Sequence, residues 1–177
     1  MTTADSNRST EATGAGTAWQ LDPSSSSVRI QHKTIWGLVK VRGSFGQVGG
    51  SGEILPDGTG RGRLEIGAAS LDTKNRKRDE HLRSADFFHA SAHPQIVVDL
   101  TRIVRQGGDS VTAEGTLTVA GRTRPLALNA RITEATDSAI TLAADAEINR
   151  ADYGMTWNQL GMVKGNAQVS VVARFVR

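Results

Sequence analysis

Residues 115–130 read GTLTVAGRTRPLALNA, and their spacing decides the fold class. Leu117 and Val119 alternate with Thr116 and Thr118, and beyond Gly121 the same two-residue period returns at Leu126, Leu128 and Ala130. Successive side chains of an extended strand point to opposite faces, so a period of two marks strands with one buried face. Two such runs joined across a glycine form an antiparallel hairpin.

The pattern extends in both directions. Towards the C-terminus, Leu142, Ala144, Ala146 and Ile148 share one face, as do Val169, Val171, Ala173 and Phe175. Towards the N-terminus the runs are Ile96, Val98 and Leu100, then Leu64 and Ile66, then Val39, Val41, Gly43 and Phe45. A Trp36-Gly37 break precedes the last of these. Before it, Val28, Ile30 and His32 face one side, and Arg29, Gln31 and Lys33 the other. Turn residues mark the gaps: Pro23-Ser-Ser-Ser, Gly49-Gly-Ser-Gly, Pro56-Asp-Gly, Gly107-Gly-Asp, Gly121 and Asp137-Ser. The chain is therefore expected to be all-β, with eight antiparallel strands in an up-and-down order. An open sheet would leave two unpaired edges, which closure into a barrel removes. A two-sheet sandwich is the structural alternative.

At 177 residues the chain suits one domain with one core. Aromatic residues make up only 5 %, few for a fully packed interior. No cysteine is present, which excludes disulfide scaffolds, thiolate zinc sites and cysteine nucleophiles. Residues 1–18 carry Asp5, Arg8 and Glu11 with no apolar run, so they read as a disordered tail rather than a secretory signal, with the domain spanning 19–177. Later windows lack the roughly 18 consecutive apolar residues of a membrane-spanning helix, so the expectation is a soluble, cytoplasmic protein. The formal charge of +3 is dispersed, apart from Lys74, Arg76, Lys77 and Arg78. Nucleic-acid binding would call for a dense basic stripe interleaved with stacking aromatics, and no such partner is expected.

Two segments break the alternation. Asp79 to Phe88, DEHLRSADFF, reads as a short helix capped by Asp79, with Glu80 beside the positive end of its dipole. It is expected to carry Leu82, Phe87 and Phe88, with Pro94 excluding continuation. Residues 153–165, YGMTWNQLGMVKG, hold Met155, Trp157, Leu160, Met162 and Val163 without period. Loops normally run in water, so connections this apolar are expected to cover something. A lid over a barrel mouth would use the helix, and the Trp157 loop would serve as a second cover or as an entrance.

The run SLDTKNRKRDEHLRSADFFHASAHPQI, residues 70–96, resembles the hallmark of the YceI-like family, lipocalin-like barrels that bind polyisoprenoids. Further matches are WQLDPSSSSVRIQHK from Trp19, VRGSF at 41–45, GTLTVAGRTRPLAL at 115–128 and NRADYGM at 149–155. The chain departs from that pattern at Lys74, where the family usually has glycine, and at His89, where it usually has an acidic residue. Many relatives carry an export signal, which residues 1–18 are not expected to supply. The resemblance implies an apolar tunnel shielding a polyprenyl chain or isoprenoid quinone, for transport, storage or protection, without catalysis or a cofactor. A transient membrane contact and a homodimer are further partner readings.

Residues expected to line the tunnel are Val28, Ile30, Val41, Phe45, Leu64, Ile66, Leu82, Phe87, Ile96, Val98, Leu117, Val119, Leu142, Trp157 and Met162. His32 joins them, either against a polar head group or as a hydrogen-bonded core residue. Alternation alone does not separate a hollow interior from one filled by these side chains. No metal site is expected from His81, His89 and His93, because Pro94 and the end of the helix break the i, i+4 register that a two-histidine helix site uses. Two other classes stay open: an enzyme acting on an enclosed lipid through His32, Asp79 or Tyr153, and an interaction module with a packed barrel.

Overall fold

The computed structural model describes residues 15–34, 38–158 and 163–177. The strand segments are β1 (Thr17–Leu21), β2 (Ser27–Thr34), β3 (Val39–Phe45), β4 (Val48–Ile54), β5 (Gly60–Gly67) and β6 (Leu71–Asp72). After the helix α1 (Arg76–Arg83) come β7 (Gln95–Gly107), β8 (Ser110–Val119), β9 (Arg122–Ala135), β10 (Ala139–Ile148) and β11 (Val163–Val176). The first six segments are halves of three long strands, β1 with β2, β3 with β4, and β5 with β6, so the eight expected strands are all present. Each pairs antiparallel with its neighbour in sequence, and β11 closes the barrel against β1 and β2. β1 begins at Thr17, two residues ahead of the expected domain start at Trp19.

Polar side chains and 3₁₀ turns make the three breaks. Pro23–Ser25 is a 3₁₀ turn within the first long strand, not a connection between strands, and Asp22 caps it by accepting from Ser24 N at 3.0 Å. Ser26 Oγ accepts from Arg174 N at 2.9 Å, which ties this break to the closing strand. Ser70 ends the third break and accepts from Gly46 N and Gln47 N at the second. Gly49–Gly52, expected as a turn, instead lies inside β4. Its neighbour explains the difference: a Cβ at Gly50 would stand 2.4 Å from the Arg63 carbonyl oxygen of β5, so glycine here allows close strand approach.

Two bulges change which residues face inward. Leu100 pairs with Gly115 and Arg102 with Glu114, leaving Thr101 as the extra residue on β7. On β9, Ile132 and Glu134 pair with consecutive residues of β10, and Thr133 is extra. Such insertions bend a strand and reverse its alternation.

The helix is shifted from its expected range. It starts at Arg76, and Asn75 caps it by accepting from Arg78 N at 3.0 Å. Asp79 turns inward instead, accepting from Thr73 N at 3.0 Å and Thr73 Oγ1 at 2.5 Å. The helix ends at Arg83, so Phe87 and Phe88 follow it in a series of turns rather than riding on it. Both phenylalanines still pack on the core, with the Phe88 ring edge-on to Phe45 at 6.0 Å. The buried core holds Leu71, which is fully buried, and joins Val28, Phe45, Ile66, Ile96 and Val119 to Tyr153 and Met155.

Candidate ligand cavity

The barrel encloses a cavity of about 980 Å³, near the top of the roughly 300–1,000 Å³ range of small-molecule sites. Fifteen of the expected tunnel residues line it: Val28, Ile30, His32, Val41, Phe45, Leu64, Ile66, Leu82, Phe87, Ile96, Val98, Leu117, Val119, Leu142 and Trp157. Met162 lies outside the described residues. Further lining residues escaped the expected set. Ile103 follows the Thr101 bulge, so strict alternation would have turned it outward. Trp19 belongs to β1, a strand half that the period-two count missed.

Small inward residues keep the interior hollow. On β10 and β11, Ala144, Ala146, Ala167 and Ala173 face the cavity, and on β4 and β5 so do Gly52, Gly60 and Gly62. Larger groups at these positions would fill the space as they do in packed barrels. Size along the inner face was thus the readable signal for a hollow barrel, and alternation ignores it.

The shape is elongated. β11 has 14 residues, which at roughly 3.3 Å each and a tilt of roughly 40° gives a barrel axis of about 35 Å.

Both apolar connections cover the same end. The His81 ring packs edge-on against Phe87 at 5.1 Å and Trp157 at 4.5 Å, and Phe87 and Trp157 are 5.6 Å apart. His81 Nε2 bonds Asp86 Oδ2 at 2.9 Å, which fixes the ring between the two aromatics. Arg150 Nη1 donates to the Trp157 carbonyl at 2.6 Å and holds that segment from below. Burial lowers the Arg150 pKa, and no carboxylate pairs with it among the described residues. The opposite end is rimmed by Glu53, Arg61, Arg63 and Arg105.

Polar atoms within the cavity are few. Among the described residues, two buried side-chain nitrogens have no hydrogen-bond partner, Trp19 Nε1 and His32 Nε2. Asp79 and Tyr153, the other acid–base candidates, do not contribute to the cavity wall. Asp79 is held by Thr73, whose Oγ1 also accepts from Arg78 Nε at 2.7 Å. Tyr153 is buried, which pushes its pKa up, with Asp152 adding to the effect. Among the described residues no three His, Cys, Asp or Glu side chains are arranged to hold a metal ion. No helix of the described residues is long and apolar enough to cross a membrane.

Residues 19–175 match the model of one protein family, described as the YceI-like domain. A UPF0312 protein of Pectobacterium atrosepticum is 32 % identical over 119 residues, covering 64 % of this chain and 61 % of its own length. The YceI protein of Escherichia coli O157:H7 is 40 % identical over 69 residues, covering 39 % of this chain. That match spans 36 % of the relative, so the chain matches about a third to three fifths of these proteins. Among solved structures, Burkholderia cenocepacia BcnA superposes with a TM-score of 0.78 at 19 % identity, covering 87 % of this chain and 98 % of that one. A domain from Saccharophagus degradans described as polyisoprenoid-binding superposes with a TM-score of 0.72 at 17 % identity, covering 89 % and 97 %. At these identities the structural likenesses establish the shared fold.

Proposed function

Since the chain belongs to the YceI-like domain family, we propose that it binds a long polyisoprenoid, either a polyprenyl species or an isoprenoid quinone, and carries, stores or shields it. The observation that supports this reading most is the elongated cavity of about 980 Å³ with an almost wholly apolar wall. The description of the Saccharophagus degradans domain as polyisoprenoid-binding points to the same ligand class. Burying each CH₂ is worth roughly 0.8 kcal/mol, so one five-carbon unit contributes on the order of 3 kcal/mol before ordering costs. A few units suffice for tight binding, and affinity then resides in the tunnel rather than in rim charges. Transient membrane contact fits this role. Leu38, 81 % exposed, sits in the β2–β3 connection at the covered end, where a lipid surface would meet it.

Organic extraction of the purified protein followed by mass spectrometry tests the reading. It should release a prenyl lipid in near-stoichiometric amount, and repeated absence of any lipid would sink the proposal. Val98→Trp supplies a second measurement, since Val98 faces the cavity. In a hollow tunnel it should cut lipid content by more than half while the melting temperature of the delipidated protein changes little. A packed barrel would instead lose about 1–3 kcal/mol to overpacking.

A further inference from the structure

His32 Nδ1 lies 2.7 Å from the Lys33 carbonyl oxygen. A carbonyl oxygen only accepts, so Nδ1 carries the proton and donates it. In the neutral imidazole the remaining nitrogen, Nε2, is then an acceptor. That atom is shut off from solvent, has no partner among the described residues, and belongs to a ring on the cavity wall. Among the described residues no side chain or backbone group donates to it. Across one ladder His32 faces Val41, and across the other the β11 register opens between Lys164 and Gln168, so no β11 residue pairs with it. Of the lining cations, Arg61 and Arg63 pair with carboxylates, Arg78 bonds the Thr73 hydroxyl and carbonyl, Arg105 and Arg150 bond the Gly108 and Trp157 carbonyls, and Lys77 is exposed on α1.

A buried acceptor left unpaired is costly and rare enough in folded proteins that each one calls for a partner. We propose that the partner is a hydroxyl group of the bound lipid, and that His32 Nε2 anchors the polar end of a long-chain alcohol or phenol. The inference rests on the lipid-binding reading above and deepens it by naming the head group. Only a ligand donor satisfies the atom as it stands, and in a prenyl lipid that donor is an O–H. A hydrocarbon leaves it bare, while an ether or ester presents a second acceptor to the first. An anionic head group does the same.

The test uses delipidated protein and a fluorescent hydrophobic probe displaced by geranylgeraniol or by its methyl ether, which differ only in the O–H. Wild type should bind the alcohol about tenfold more tightly, the value of one hydrogen bond in a dry site. In His32→Leu the ratio should fall to near one, and His32→Gln, which restores an acceptor oxygen, should recover part of the preference. Equal binding of alcohol and ether by wild type would overturn the proposal. So would a preference that persists in His32→Leu, which would assign Nε2 to a buried water instead. If neither compound displaces the probe from wild type, the lipid-binding reading itself fails and takes this inference with it.

Discussion

Gly121 has φ of +74°, and a Cβ there would lie 2.5 Å from the His93 ring. It follows Ala120, itself at φ +49°, and together they make the two-residue turn between β8 and β9 with both residues left-handed. Gly121→Ala should therefore lose about 1–3 kcal/mol from backbone strain and the steric conflict, measured by urea denaturation. Lys74 gives the converse case. It stands where the family usually has glycine, and its φ is +63°, so the position demands a left-handed residue whichever side chain fills it. Lys74 Nζ bonds Asp72 Oδ2 at 2.6 Å, and the backbone amide bonds Asp72 Oδ1 at 2.8 Å. These contacts hold the turn without glycine. His89, the other departure, is also left-handed at φ +47°. The resemblance located both positions, but only the dihedral angles show why they are special.

At the scale of elements, α1 and the Trp157 segment act as a single cover because His81 lies between Phe87 and Trp157. Trp157→Ala removes one side of that contact and frees the segment anchored by Arg150. Lipid transfer from the protein to vesicles, followed by stopped-flow fluorescence, should speed up by about tenfold. The change belongs in the release rate, where most affinity differences between related complexes arise. The existence of a helix here was legible in the residues, but its limits were not. Asn75 and Asp79 are both good caps, and the choice between them came from Thr73, a residue outside the helix that takes the Asp79 carboxylate. The glycine run of β4 misled for a related reason. Locally it resembles a turn, and only the approach of β5 explains it as strand.

For the whole molecule, alternation was enough to recover eight strands and their meander, since each strand buries one face. Twelve of the residues it turned inward, from Val28 to Leu142, line the cavity, while Leu82, Phe87 and Trp157 reach it from the two apolar connections. Alternation lost phase at the Thr101 and Thr133 bulges, and it said nothing of hollowness, which depends on residue size rather than polarity. A hollow barrel gains stability from its occupant. At free ligand of 100 times Kd that gain is about 2.7 kcal/mol, so complete delipidation should lower the melting temperature by about 5–10 °C. Adding the lipid back should restore it, and calorimetry before and after extraction makes the comparison.

Closure by β11 also orders events in time. β1 and β2 take their second partner from the far end of the described chain, across six intervening barrel strands and the helix. Until β11 docks, the first strand keeps a bare edge and the interior is an open trough. Contacts this distant in sequence form late and slowly. The sealing of the barrel and the enclosure of its cavity are therefore one event, the last in folding, and a chain stalled before it presents a sticky edge in place of a closed wall.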